Sequence, residues 1–186
     1  MDTIKNIKYK IIKNFFSKDE VKLLNKYVTI RHRINFNFFN YSANKDTGIY
    51  GDPLMESLLL TKFDLMEKET NLKLHPTYSY WRMYTKFADL KKHVDRPSCE
   101  ISVTVMIGSD GTPWPIFIGG TEIQLNDGDA VIYLGCEISH WREEFKGDWQ
   151  AQVFLHYVDA EGVNKEFNRD KRLIWGTEYP GDVKKI

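Results

Sequence analysis

The chain reads as mostly β with flanking helices, an α+β arrangement in which amino-terminal helices buttress a small sandwich or barrel of short strands. Three observations predict it. Helix-start signals followed by apolar residues at helical spacing fall within the first 76 positions. From Thr77 onward, short apolar or alternating runs are separated by Gly, Pro, Asp and Asn. The length, 186 residues, suits one domain rather than two. The expected division of 1–186 is helical support and cover over 1–76, a strand core over 77–159 and a tail over 160–186.

Composition removes several classes. With 42% hydrophobic and 28% charged residues the chain can bury a core, so it is neither disordered nor collagen-like. Lys plus Arg number 26, as do Asp plus Glu, which leaves no net basic field to gather nucleic acid or an anionic membrane. No stretch approaches the roughly 20 apolar residues of a spanning helix. The amino terminus lacks the apolar run and cleavage site of a secretory signal. Cys99 and Cys136 make no disulfide framework and read as small buried hydrophobes, which favours a reducing, cytoplasmic setting.

Taken in order, isoleucines and lysines alternate between Ile4 and Lys10, predicting an edge strand with a charged outer face. Ser17 with Glu20 forms a capping box after Phe15 and Phe16. Val21, Leu23, Leu24, Tyr27 and Val28 continue it as a helix of about three turns. Arg31 to Tyr50 shows no period and reads as irregular cover. Asp52-Pro53 pairs an N-cap carboxylate with a proline at the first helical position, and a helix follows over Leu54 to Glu69. Strands are expected at Tyr78–Tyr84, Cys99–Ile107, Ile116–Ile118, Thr121–Leu125, Ala130–Leu134, Glu137–Arg142 and Ala151–Val158, with turns at Gly108–Gly111 and Asn126–Asp129. The tail from Asp159 to Ile186 is polar and reads as a surface wrap, with Trp175 and Tyr179 as anchors.

The histidines are His32, His75, His93, His140 and His156. Only His93 stands two residues from a carboxylate in a strand-like setting, in His93-Val94-Asp95. Alternation points such residues to one face, so imidazole and carboxylate converge on one ion. With a second imidazole from a distant strand they make the facial triad of non-haem Fe(II) sites. Taken alone, the same pair reads as a surface contact. His32, between two arginines, and His75, before Pro76, have no partner at ligand spacing and read as surface residues.

Downstream, Gly128-Asp129-Ala130-Val131-Ile132-Tyr133-Leu134-Gly135 is a turn, a buried strand and a glycine, and a short loop then ends at His140. In this order the chain resembles the 2-oxoglutarate/Fe(II)-dependent dioxygenases, and within them the prolyl-4-hydroxylase-like branch with its small phage and bacterial members. The resemblance spans roughly Tyr78 to Asp159, and the Phe15–Glu20 helix start resembles that family's amino-terminal helix. It implies a double-stranded β-helix (jelly-roll) barrel. It also implies metal ligands His93, Asp95 and His140, with His156 as the competitor for the third place. The implied cofactors are Fe(II), 2-oxoglutarate and O2, with ascorbate as an accessory reductant. The implied reaction hydroxylates a C–H bond, foremost on a peptidyl side chain such as proline, and releases succinate and CO2. The expected partner is a protein, peptide or small-molecule substrate, with neither nucleic acid nor membrane.

One position departs from the family. The distal carboxylate of 2-oxoglutarate needs a cation, usually supplied about ten residues beyond the distal histidine, and Gln150 stands there. An amide lacks the charged fork that anchors a carboxylate. Arg142, two residues after His140 and on its strand face, is the preferred substitute; an exposed pairing with Glu143 or Glu144 is its plain alternative. Arg82 comes next, because Tyr78, Tyr80, Arg82 and Tyr84 alternate onto one face. Tyr84 resembles the family tyrosine that hydrogen-bonds the co-substrate, beside the alternative of ordinary strand packing.

Ser102 and Thr104 alternate against Ile101, Val103, Val105 and Ile107, lining either a polar cavity or a solvated face. Trp114 and Trp141 read as groove or packing residues, and Lys91, Lys92 and Arg96 as a solvated basic face. Two further classes remain: a non-catalytic jelly-roll module, which Gln150 favours, and a cupin-like metalloenzyme not using 2-oxoglutarate, for which histidines are few.

Overall fold

Two antiparallel sheets packed face to face, with helices on the outer side of the larger, make up the computed structural model, which describes residues 3–38 and 46–177, with 35–38 as backbone only. Chain order runs α1 (Ile4–Ile7), β1 (Tyr9–Ile12), α2 (Lys18–Phe38), β2 (Thr47–Tyr50), α3 (Pro53–Thr61), α4 (Phe63–Thr70) and β3 (Leu74–Thr85). It continues β4 (Leu90–His93), β5 (Ile101–Ser109), β6 (Ile116–Ile118), β7 (Thr121–Ile123), β8 (Ala130–Tyr133), β9 (His140–Arg142) and β10 (Trp149–Asp159). The larger sheet has the order β1-β8-β5-β10-β3-β2 and the smaller β4-β9-β6-β7, a pairing consistent with the expected jelly roll.

Period-two patterning decides which side chains meet which core. On β10, Ala151, Val153, Leu155 and Tyr157 join the cluster that packs against Leu24 and Val28 of α2, Met55 and Leu59 of α3 and Met66 of α4. Residues of the opposite parity, Gln150, Gln152, Phe154 and His156, turn inward between the sheets, where Phe154 and His156 line a cavity. β5 behaves likewise: Ile101, Val103, Val105 and Ile107 face the helices, while Ser102 and Thr104 are fully buried on the inner side. The solvated-face alternative for Ser102 and Thr104 is therefore overturned.

The helix-start signals hold. Glu20 N–H donates to Ser17 Oγ at 3.2 Å and Ser17 N–H to Glu20 Oε2 at 2.7 Å, the reciprocal capping box. Asp52 caps α3 through Leu54 N–H at 3.0 Å. Gly128 has φ +85° in the turn before β8, and a Cβ there would stand 2.8 Å from the Phe16 carbonyl oxygen.

Four expectations need correction. Residues 4–7 form a helical turn rather than strand, because Ile4 is fully buried and Lys8, at φ 72°, reverses the chain into edge strand β1. Arg31 to Tyr50 is not wholly irregular. α2 runs on to Phe38, since no Gly or Pro interrupts its hydrogen-bond ladder, and β2 pairs with β3; residues 39–45 lie outside the described residues. The helix expected over Leu54–Glu69 breaks at Lys62, whose ammonium pairs with Glu20 at 2.8 Å and lies over the Phe15 and Phe16 rings. The tail does more than wrap the surface. Arg172 forms an ion pair with Glu56 in which both side chains are 1% exposed, and Trp175 packs on the helical core. Tyr179 lies outside the described residues. No described helix is long and apolar enough to cross a membrane.

Candidate metal centre

β4 and β9 are paired so that His93 stands opposite His140, with ring centroids 4.3 Å apart. Asp95 lies two residues beyond the end of β4, and its N–H donates to the Gly135 carbonyl at 2.8 Å. The His-x-Asp pair is thus not one continuous strand. A backbone bond to the loop before β9 does the aiming. Asp95 Oδ1 sits 3.4 Å from Nε2 of His93 and 3.4 Å from Nε2 of His140. Adjacent ligands of an octahedral ion at about 2.1 Å lie about 3 Å apart, so this donor set fits a divalent ion of that size.

The surroundings orient all three groups. His93 Nδ1 contacts the Lys91 carbonyl at 2.6 Å and His140 Nδ1 that of Ile138 at 3.0 Å, a pairing that leaves each Nε2 lone pair for a metal. Ser102 Oγ donates to Asp95 Oδ2 at 3.0 Å. Burial opposes ionisation of Asp95, but His140, His156 and the Ser102 hydroxyl outweigh it and hold the carboxyl below its ordinary value. Gly135 makes room. A Cβ there would lie 2.4 Å from the Cys99 carbonyl oxygen, 2.5 Å from Asp95 Oδ2 and 2.6 Å from Ser102 Oγ.

His156 is not part of this set. Its Nδ1 lies 3.0 Å from Ser102 Oγ, its ring packs on Tyr78 at 4.4 Å, and it groups with Asp95 and Cys99 instead. Burial pushes its imidazole down to about 4, so it stays neutral at ordinary pH.

A cavity of ≈ 200 Å³ opens at the triad, walled by Tyr78, Tyr80, Arg82, Tyr84, Tyr133 and Phe154 among others. Arg82 contacts Asp46 at 3.3 Å and lies 4.8 Å from the Tyr84 ring. Arg142, two residues along β9 from His140, is 3% exposed, donates to the Trp114 carbonyl oxygen and lies over the Trp114 ring at 4.8 Å. Among the described residues no carboxylate pairs with it, so the exposed-pair alternative with Glu143 or Glu144 is overturned. Burial lowers its pKa to about 10 against the opposing influence of Tyr84 and Tyr133. Gln150, paired in register with Tyr84, is fully buried, and neither of its amide atoms has a hydrogen-bond partner among the described residues. Gln152 accepts from Thr104 at 2.6 Å and leaves its own Nε2 unpartnered. Among the described residues, Arg142 thus has no carboxylate partner, and three buried amide atoms of Gln150 and Gln152 have no hydrogen-bond partner.

Of the remaining expectations, the solvated basic face holds for Lys91 and Lys92, which are exposed, and not for Arg96. Lys91 pairs with Asp89, Lys92 lies over Trp141, and Arg96 grips buried Asp170. Trp114 is buried against Tyr84 and Phe145, while Trp141 stacks on Phe117 at 5.1 Å. His32 bonds Thr47 at 2.7 Å and is half-buried rather than a free surface residue. Cys99 is buried beneath Tyr78 and Cys136 is half-buried. Sequence reading missed Tyr133, whose ring meets His140 edge-on at 4.8 Å, and Gln152. The inward parity of Ala130–Tyr133 and Gln150–His156 was the available signal.

No family model matches the chain, and no curated protein does. Solved structures match it over most of its length. A prolyl-4-hydroxylase from Pseudomonas putida is 16% identical, covers 82% of this chain and 92% of its own, and has a TM-score of 0.61. The viral collagen prolyl hydroxylase vCPH from Paramecium Bursaria Chlorella virus-1, solved with 2-oxoglutarate, is 11% identical over 81% of this chain and 94% of its own, with a TM-score of 0.61. SnoK, a non-heme alpha ketoglutarate dependent carbocyclase of nogalamycin biosynthesis, is 11% identical over 82% and 80%, with a TM-score of 0.66. The chain therefore has the fold of the 2-oxoglutarate/Fe(II) oxygenases, the prolyl-4-hydroxylase-like structures among them.

Proposed function

We propose that the chain is an Fe(II)- and 2-oxoglutarate-dependent oxygenase that hydroxylates a C–H bond, foremost on a peptidyl side chain such as proline, with release of succinate and CO2. One observation carries this reading: both Nε2 atoms stand 3.4 Å from Asp95 Oδ1, and Arg142, two residues along β9 from His140, is buried with no carboxylate partner among the described residues. His93, Asp95 and His140 would hold Fe(II), and Arg142 would take the distal carboxylate of 2-oxoglutarate. Tyr84, which meets the same Trp114 ring as Arg142, and Gln150, in register with Tyr84, would supply neutral hydrogen-bonding groups, and Arg82 stays on the cavity wall. Bound iron and 2-oxoglutarate supply the oxidation of the substrate by O2, chemistry no side chain here performs.

The chain's own residues do the rest. The carbonyls of Lys91 and Ile138 hold both imidazoles in one tautomer, and Ser102 holds the carboxylate. The aromatic wall of Tyr78, Tyr80, Tyr84 and Phe154 limits water around the triad. A cavity of ≈ 200 Å³ lies below the about 300–1,000 Å³ of sites for larger free ligands, which supports a small acid together with one substrate side chain. Arg142 also answers the departure at Gln150 that favoured a non-catalytic module.

The test is succinate release from 2-oxoglutarate with Fe(II), ascorbate and proline-containing peptides, compared with free amino acids. Peptide-dependent succinate that disappears in His93→Ala supports the reading. Turnover undiminished in His93→Ala overturns it.

A further inference from the structure

We propose that Asp170 is a positioning residue of the metal centre, acting through Arg96 on the ligand Asp95. The inference rests on the reading of His93, Asp95 and His140 as a metal site.

Asp95 sits in an irregular segment just past β4, where strand pairing no longer fixes the chain. The next residue, Arg96, is held on several sides. Its Nη1 donates to Asp170 Oδ1 at 2.8 Å and its Nη2 to Asp170 Oδ2 at 2.6 Å, a two-pronged pairing that fixes direction as well as distance. Its guanidinium lies 4.6 Å from the Tyr78 ring, and its carbonyl accepts from Cys99 N–H at 2.9 Å and from Cys136 Sγ at 3.0 Å. Tyr50 donates its hydroxyl to Asp170 Oδ2 at 2.7 Å. Arg96 thereby anchors one end of the segment, and the Asp95 N–H to Gly135 bond anchors the other.

Asp170 reaches this place by an unfavourable route. Arg169, Asp170 and Lys171 have φ of 52°, 54° and 64°, three successive non-glycine residues in the left-handed region. L-residues adopt that region singly and avoid it in runs. The conformation persists because Arg172, next in line, is tied to Glu56, to the Thr77 carbonyl at 3.1 Å and to the Thr177 carbonyl at 2.8 Å. The turn buries the Asp170 side chain to 1% exposure while Arg96 stays 37% exposed. A tether for the tail alone needs neither the strain nor the fork. Both are accounted for if the pair fixes the orientation of Asp95, whose Oδ1 must stand equidistant from two imidazoles.

The test uses the full chain and Co(II), a spectroscopically visible substitute for Fe(II). Asp170→Asn is expected to weaken Co(II) binding at least tenfold, at a temperature where circular dichroism shows the protein folded, and to shift the visible Co(II) bands. Arg96→Lys keeps the charge and loses the fork, so its loss falls between Asp170→Asn and the unmodified chain. Lys62→Met breaks the Lys62–Glu20 pair, which touches neither Arg96 nor the turn that carries Asp170. It is expected to lower the melting temperature while leaving Co(II) affinity within twofold. Unchanged affinity and spectrum in folded Asp170→Asn, or in Arg96→Lys should Asp170→Asn not fold, overturn the proposal. An equal loss in Lys62→Met overturns it too, by showing general loosening. A chain that binds no Co(II) at all overturns the metal-site reading itself, and the role of Asp170 with it.

Discussion

His93 and His140 repeat one local device on two strands: each imidazole Nδ1 is bonded to the carbonyl two residues before it, and the two rings meet across the β4–β9 pair. The repetition gives both histidines the same orientation, so two Nε2 atoms converge on one carboxylate oxygen.

Removing either imidazole should therefore abolish tight metal binding. Substituting even the groups that orient ligands typically weakens affinity by about 10–100-fold, so His93→Ala and His140→Ala are each expected to lose about 100-fold or more. Calorimetric titration with Fe(II) under anaerobic conditions reads the effect. His156→Ala is expected to keep binding within about tenfold, since its imidazole faces Ser102 rather than the triad.

Gly135 is required by close approach. Its missing Cβ would contact Asp95, Cys99 and Ser102 at 2.4 to 2.6 Å, two of them through backbone or a ligand carboxylate that cannot retreat. Gly135→Ala should destabilise the fold by about 1–3 kcal/mol, the usual range for overpacking, and lower metal content after dialysis. Chemical denaturation and metal analysis of the same preparation check both.

Arg142 should show effects of opposite sign with and without a bound acid. Without a bound acid it is a buried charge with no carboxylate partner among the described residues, so Arg142→Met is expected to raise the melting temperature, by on the order of 1 kcal/mol of stability. The same change removes the charge-assisted bonds to a carboxylate, about 1.5–3 kcal/mol, and so should weaken 2-oxoglutarate binding roughly 10–100-fold. Gln150→Ala should weaken it less, because only neutral hydrogen bonds are lost. Equal 2-oxoglutarate affinity in Arg142→Met and the unmodified chain would move the anchor to Arg82.

Acid sensitivity should trace in part to Asp129 in the turn before β8. Burial would raise its carboxyl, but Lys13 at 2.8 Å and the N–H groups of Asn14 and Asn126 overcome this and hold it below the ordinary value. A folded pKa lower than the unfolded one, near 4, contributes stability above that pH, and the contribution is lost as pH falls through the folded pKa. Asp129→Asn should cost about 1–2 kcal/mol at pH 7, with the gap between the two proteins closing below about pH 4. A gap independent of pH in denaturation curves counts against the assignment.

Local signals carried much of this. The Ser17–Glu20 capping box and the Asp52-Pro53 start act within a few residues, so their chemistry is readable in a string. Strand positions were legible from alternation, which put Tyr84 and Arg82 on one face and Ser102 opposite its apolar neighbours but did not say which face turns inward. The ligand types came from His-x-Asp and the histidine after Gly135. Less legible were features whose cause lies far along the chain. Nothing near Asp170 in sequence announces that its carboxylate crosses to Arg96, and nothing near Arg142 says that Glu143 and Glu144 point elsewhere.

The sequence by itself determined most of the element types and, through His93-x-Asp95, two of the candidate ligands, because capping, turn chemistry and side-chain alternation depend on neighbours within about four residues. Only the tertiary structure decided which histidine stands opposite His93, that Arg142 is buried with no carboxylate partner among the described residues, and that the tail reaches back to the residue beside Asp95. These depend on strand register and on contacts between residues 28 to 116 positions apart. The free energy of a buried charge or an orphaned amide is set by what packs around it, and that is fixed only when the sheets close.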